Sequence, residues 1–165
     1  MNQLTHKIQH KIYTQVEDFL GQAQNWKKEE KTIVFTNGCF DILHRGHLDY
    51  LEQISKLGDR LVIGVNSDSS VKRLKGEDRP INTELDRSYV LASLAYVDAV
   101  VVFSEDTPIN VINSILPDVL AKGGDYKIKD IVGAEEVTAN GGKVLTTPIV
   151  YHDSTSSILE KIKRI

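Results

Sequence analysis

Two histidines, His44 and His47, stand three residues apart in TNGCFDILHRGH, residues 36–47, with Gly46 between them. A run rich in β-branched residues, TIVF, leads straight into this stretch. Imidazoles at a helix start can donate hydrogen bonds to an anion. The first N–H groups of a helix have no intrahelical acceptor, and the helix dipole is positive there. Gly38 lets backbone come close to a ligand, and Gly46 allows the next helix start to pack tightly. The turn can therefore serve as a phosphate cradle, with donors aimed at oxygens whose charge grows in a transition state. On residue type alone two other uses stay open. The pair could be core or capping histidines, or two metal ligands, for which only His6, His10 and His152 could supply a further imidazole. No G-x-G-x-x-G follows the strand, which argues against hydride transfer. No nucleophile elbow appears, which disfavours a hydrolase.

Other chemistry-bearing residues also follow apolar runs. Asn66 and Asp68 stand at the end of RLVIGVNSD, ahead of Lys72, Arg73 and Lys75. Such a cluster is either solvated surface or a phosphate contact, with Lys75 ahead of Lys72 for the latter. In LAKGGDYK two glycines expose backbone N–H groups and Lys122 adds a charge, although most Gly-Gly turns are only turns. Arg87 lies in TELDRSYVL, a helix that Asn82 or Thr83 could cap, where an ordinary arginine makes a surface ion pair. In DSTSSILEKI, Asp153 or Ser154 reads as an N-cap, and Ser154, Thr155 and Ser156 crowd the first turn with hydroxyls. Asp41 reads as a cap or turn residue on turn chemistry alone. Cys39, the single cysteine, reads as a small packed hydrophobe.

The elements that must hold these residues follow from periodicity. The runs TIVF, RLVIGV, DAVVVF, DVLAK and KVLTTPIV alternate with helix-like segments of 10 to 15 residues, the pattern of βαβ units and a parallel sheet. The expected fold is α/β, a Rossmann-like doubly wound parallel sheet of about five strands. Ligands of such sheets bind beyond the carboxyl ends of the strands, where the strand order reverses. Leu4, Ile8, Ile12, Val16 and Leu20 recur every four residues and predict an amphipathic N-terminal helix, packed on the domain or used in dimerisation. The expected division is residues 1–26 as helix and lead-in and 27–165 as one catalytic domain. The 165 residues suffice for a sizeable core, and the net charge of −3 speaks against a general nucleic-acid binder. No apolar run approaches the roughly 18 residues that span a bilayer, and no signal-type apolar core opens the chain. A cytoplasmic protein without membrane contact is expected.

GCFDILHRGH resembles the first signature of the cytidylyltransferase-like nucleotidyltransferases, with its H-x-G-H motif. LKGEDRPINTELDRSYVLASLAYVD, DVLAKGGDYKIKDIVGAEEVTANGGKV and DSTSSILEKI follow in family order, so the likeness covers roughly residues 25–163. Within that family the set is most similar to the adenylyltransferases acting on D-glycero-β-D-manno-heptose 1-phosphate, a domain that many bacteria fuse behind a sugar kinase. The resemblance implies transfer of AMP from ATP to a sugar 1-phosphate, with Mg²⁺ on the triphosphate and no metal ligand from protein side chains. It implies His44, His47 and Lys75 as catalytic residues. Asn37, Gly38, Phe40, Gly46, Arg87, Lys122, Gly123, Ser154, Thr155 and Ser156 would bind the nucleotide. Asn66, Asp68, Gly124 and Asp125 would serve the sugar phosphate, as would Asp41 unless it holds a neighbouring basic residue. A homodimer and a separate heptose kinase are implied partners. One departure stands out: many relatives carry I-S-S-T-x-x-R in the last helix, where this chain has Ile158, Leu159, Glu160 and Lys161. Either Lys161 or another basic residue substitutes for the arginine, or none does. Alternatives are a cytidylyltransferase acting on a polyol phosphate such as glycerol 3-phosphate, a nucleotide-binding regulatory module without turnover and, last, a metal-binding protein.

Overall fold

The computed structural model describes residues 8–124, 126–148, 151 and 155–164. Six parallel strands form one sheet in the order β1-β4-β3-β2-β5-β6. They are β1 (Ile12–Tyr13), β2 (Ile33–Gly38), β3 (Arg60–Asn66), β4 (Ala99–Phe103), β5 (Val119–Gly123) and β6 (Lys143–Thr147). The helices are α1 (Val16–Lys28), α2 (Arg45–Ser55), α3 (Asp68–Lys75), α4 (Glu84–Ala92), α5 (Ile109–Ile115), α6 (Ala134–Ala139) and α7 (Thr155–Lys163). Each predicted apolar run became a strand. The central ones are buried almost end to end, as expected of a parallel sheet covered on both faces.

Alternation along β2 sorts the core into two layers. Ile33 and Phe35 join Phe19, Trp26, Val101 and Ile112 on one face of the sheet. Val34 joins Leu51, Ile54, Ile63, Leu91 and Ala121 on the other. The helices thus cover both faces, which is the doubly wound arrangement.

Two local expectations need correction. The sheet has six strands rather than about five. The extra one lies inside the stretch expected to be a single N-terminal helix. Ile8 and Gln9 are helical, Ile12 and Tyr13 then pair in parallel with Val100 and Val101, and a further helix begins at Val16. The spacing-of-four signal is helical at Ile8 and again from Val16, but the two edge residues between them suffice to add a strand. Phe19, Ala23 and Trp26 then seat α1 on the core, and Tyr13 packs edge-on against Phe19 at 5.0 Å. Lys72, Arg73 and Lys75, the basic cluster, lie on α3, which Ser67 caps with a hydroxyl that accepts from the Ser70 N–H. Thr83, one of two expected caps, caps α4 through the Asp86 N–H.

The topology itself opens a crevice. β2 pairs with β3 along its whole length, from Ile33 opposite Arg60 to Gly38 opposite Val65. With β5 it pairs only at Val34–Val119 and Phe35–Leu120. Beyond Phe35 and Leu120 the two strands part, at the point where strand order reverses. No described helix is long and apolar enough to cross a membrane.

Candidate active site

Where β2 and β5 part, Thr36–Gly38 faces Lys122 and Gly123 across a cleft. The Lys122 ammonium bridges the gap, donating to the Asn37 side-chain oxygen and to the Asn37 carbonyl. A single lysine therefore ties the two strand ends together at the floor of the crevice. Burial lowers its pKa to about 8, with Cys39 opposing the shift. A cation kept partly desolvated in this way is primed for an anion, since binding restores the interaction that burial removed.

The wall of the cleft is the turn between β2 and α2. Phe40 there takes a left-handed backbone, φ 47°, which a bulky side chain rarely adopts. Its ring is buried and lies 5.3 Å from that of His47. His44 is the N-cap residue of α2 and His47 lies in its first turn. Their rings are 3.9 Å apart, centre to centre, and inclined by 35°. The pair is thus one stacked unit at the helix start. Burial, and then the His44 imidazole beside it, pushes the His47 pKa down to about 4. His47 is consequently a neutral imidazole near pH 7. Its Nδ1 is buried without a hydrogen-bond partner among the described residues. A Cβ at Gly46 would meet the Tyr151 carbonyl at 3.0 Å and the His44 ring at 3.1 Å, so a larger residue here would have to push these neighbours back by a few tenths of an ångström. Behind the wall, Thr36 and Tyr50 share a buried hydroxyl–hydroxyl bond of 2.8 Å that fixes α2 to β2.

The crevice has two lobes. The narrower, about 330 Å³, lies among Thr36, His44, Gly46, Tyr50, Gly123 and the α2 start. The wider, about 490 Å³, extends past Cys39 to Asn66, Leu74, Lys75, Arg79 and Ser156. Asn37, Gly38, Phe40, His47, Lys122, Tyr126 and Thr155 line both. Thr155 also bonds back to the Ile42 carbonyl at 3.2 Å, which brings the start of α7 over the crevice.

Most residues singled out in the sequence converge here: Asn37, Gly38, Phe40, His44, Gly46, His47, Asn66, Lys75, Lys122, Gly123, Thr155 and Ser156. Asp125 and Ser154 lie outside the described residues, and Gly124 follows β5 without lining either lobe. Three charged residues, Arg87, Asp68 and Asp41, are engaged by protein partners. Arg87 is fully buried and donates to the Cys39 carbonyl at 2.6 Å, the Asn82 carbonyl at 3.0 Å and the Asp68 carboxylate at 2.7 Å. Asp68 is accordingly turned to Arg87 rather than into either lobe. Asp41 follows the second of its two expected roles. Its buried carboxylate accepts from Arg79 at 2.6 Å and from the backbone N–H groups of Ile81 and Asn82. Burial works to raise its pKa, but the Asn82 and Ile81 N–H groups and Arg79 outweigh it, and the net shift is downward. The sequence reading missed Arg79 and Tyr126. Both sit inside quoted motifs, GEDRP and KGGDYK, and the need of a buried Asp41 for a cation was the usable signal for Arg79.

Chemically, the crevice offers imidazole, ammonium, hydroxyl and backbone N–H donors. Asp41, the one carboxylate lining it among the described residues, already accepts from Arg79, Ile81 and Asn82. Among the described residues no group of three or more His, Cys, Asp or Glu side chains converges as a metal cage. This donor set fits a phosphate-rich ligand that brings its own divalent cation.

An α/β domain with a stacked imidazole pair on a helix start at the sheet's switch point defines a phosphate-handling nucleotide-binding protein. The chain belongs to the cytidylyltransferase-like family, whose model matches residues 35–161. It is 56% identical over 149 residues to the bifunctional protein HldE of Haemophilus influenzae, and 52% identical over 147 residues to that of Methylobacillus flagellatus. These alignments take in 90% and 89% of this chain but only 31% and 30% of those proteins, so the chain spans about a third of their length. Among solved structures, the lipopolysaccharide core biosynthesis protein from Thermoplasma volcanium is 32% identical with a TM-score of 0.59, the match covering 74% of this chain and 99% of that one. A pantoate-beta-alanine ligase from Francisella tularensis shares the fold at 14% identity, with a TM-score of 0.61 over 93% of this chain and 78% of its own.

Lys122 carries a pH prediction. Above pH 8 the free protein loses the Lys122 charge, whereas a bound polyphosphate holds the proton on. Affinity for ATP is therefore expected to fall as pH rises from 8 to 10, and binding near pH 8.5 should take up a proton. Calorimetric titration of ATP in two buffers of different ionisation enthalpy measures that uptake, and Lys122→Met should abolish it.

Proposed function

We propose that this chain transfers AMP from ATP to D-glycero-β-D-manno-heptose 1-phosphate, releasing pyrophosphate and giving an ADP-heptose for lipopolysaccharide or another surface glycan. The observation that carries the reading is the stacked His44–His47 pair at the start of α2, set against Lys122 where β2 and β5 part. The ordered motifs support it, as do relatives named bifunctional protein HldE and a structural relative named for lipopolysaccharide core biosynthesis.

The reaction has a simple balance. An oxygen of the sugar 1-phosphate attacks the α-phosphorus of ATP, the bond from that phosphorus to its bridging oxygen breaks, and pyrophosphate departs with the electron pair. The attacking oxygen is already ionised near neutral pH, so no base has to remove a proton. What the protein must supply is alignment of two polyanions and donors for the charge that develops. Neutral His47 donates an N–H toward the reacting phosphate, and the α2 start adds its dipole. Lys122 and Lys75 both line the wider lobe. Phe40, Gly38 and Gly46 leave room for the phosphates to approach the backbone. Mg²⁺ carried by the triphosphate supplies further charge neutralisation when ATP is bound. In this reading residues 27–165 form the catalytic unit, the 1-phosphate comes from a separate heptose kinase, and the protein acts as a homodimer.

The test is pyrophosphate release with Mg²⁺ and D-glycero-β-D-manno-heptose 1-phosphate, supplying ATP, CTP, GTP or UTP in parallel. Release with ATP alone is the expected result. Release with CTP alone would keep the transfer and overturn the nucleotide. No release with any of the four would overturn the proposed reaction.

A further inference from the structure

The wider lobe holds a cation that the transfer chemistry described above leaves without a task. Arg79 follows α3 in GEDRP, and its side chain is only 16% exposed. Its Nε donates to the Asp41 carboxylate, itself 1% exposed, at 2.6 Å. Both Asp41 oxygens are further occupied by the N–H groups of Ile81 and Asn82, and the Asp41 carbonyl accepts from the Asn82 side chain at 2.6 Å. Asp41 therefore cannot turn toward the cleft. It holds the guanidinium in one orientation by one nitrogen. Among the described residues the two terminal nitrogens of Arg79 have no protein acceptor. The side chain keeps some accessible surface and lines the wider lobe beside Lys75 and Asn66.

A half-buried guanidinium fixed at Nε and open at its fork has the geometry of a bidentate phosphate receptor. Its position says which phosphate. The narrower lobe contains the α2 start and His44, and Arg79 does not line it. The wider lobe reaches away from that start, and the two lobes meet at His47 and Lys122. A transfer between two anions needs a cationic seat on each side of the meeting point. We propose that Arg79, oriented by Asp41, is the seat for the phosphate of the acceptor and so sets the affinity for sugar 1-phosphates as a class. Asp41 is a positioning residue that works through Arg79. The inference rests on the transferase reading and assigns its second substrate to a named side chain.

Steady-state kinetics of Arg79→Ala and Arg79→Lys test it, with ATP and heptose 1-phosphate varied separately. The KM for heptose 1-phosphate should rise at least tenfold in both variants, since an ammonium keeps the charge but not the fork. The KM for ATP should stay within about threefold. Lys72→Ala, which removes a nearby charge that lines neither lobe, should change neither constant. A parallel rise in the KM for ATP, or no change in either constant, would overturn the assignment. Arg79→Lys keeps a partner for Asp41, so it guards against a loss that is merely one of folding. Direct titration separates this proposal from the reaction itself. Heptose 1-phosphate would be titrated into wild type and Arg79→Ala, each preloaded with a non-hydrolysable ATP analogue. Binding lost only in the variant supports the seat even if wild type releases no pyrophosphate. Equal binding by both, or none by wild type, refutes it.

Discussion

His47→Ala is expected to lower kcat for pyrophosphate release by roughly 10²- to 10³-fold, the usual cost of removing one donor aimed at developing charge. The KM for ATP should change far less, because Lys122 and the α2 start still hold the triphosphate. His47→Gln, which retains an N–H donor of similar reach, should recover part of the loss. The ring's buried setting adds a pH signature. With a folded-state pKa of about 4 against an ordinary 6.5, His47 binds its proton more weakly in the folded protein than in the unfolded chain. Between these values the unfolded chain holds more protons, so stability must rise with pH across the window and fall as pH drops from 6.5 toward 4. Thermal melts from pH 4 to 7 should show that slope in wild type and a shallower one in His47→Gln. The acid limb of kcat/KM should likewise lie well below 6.5. A His47→Ala enzyme with wild-type turnover would leave the imidazole pair a packing unit only.

The path from β2 through its turn to α2 was legible because every link is local. An apolar strand, a glycine turn and an apolar-faced helix place His44 and His47 wherever that strand ends, and the parallel pattern places the strand end at a crevice. Lys122 was legible for the same reason, one strand over. What escaped was set by contacts between distant residues. Arg87 meets the Cys39 carbonyl 48 residues away and Asp41 meets Arg79 across 38, and no periodicity announces which of two charges will turn inward. Strand β1 escaped because two residues cannot show an alternation, and their every-fourth spacing with Val16 and Leu20 imitated a helix. The last helix is a mixed case. Thr155 and Ser156 of its hydroxyl-rich start line the wider lobe, while Asp153 and Ser154 lie outside the described residues.

Arg87→Ala is expected to cost stability before it costs binding. The guanidinium is wholly buried and its three partners come from three separate segments: the turn after β2, the segment before α4 and the start of α3. Removing it leaves two carbonyls without their donor and the Asp68 carboxylate without its cation. Breaking such a buried pair costs about 3–5 kcal/mol. Asp68 is about one-third exposed, so the lower end applies, about 3 kcal/mol. For a chain of this size that corresponds to a fall in Tm of roughly 6–12 °C, measured without any ligand. Arg87→Lys should recover only a part, because one ammonium cannot span partners that the planar fork reaches in different directions. The family resemblance implied a different task for Arg87, contact with the nucleotide. That role makes the opposite prediction: Arg87→Lys would keep the ligand-free Tm and lose the stabilisation that ATP confers. The side chain lies behind Phe40 and Asp41, on the far side of the turn from both lobes. It acts on the site by holding the Cys39 carbonyl, and with it the backbone that carries Phe40 into its left-handed turn. A loosened turn lets the His47 ring drift, so any Arg87→Ala enzyme that stays folded at low temperature should lose kcat while its KM for ATP holds.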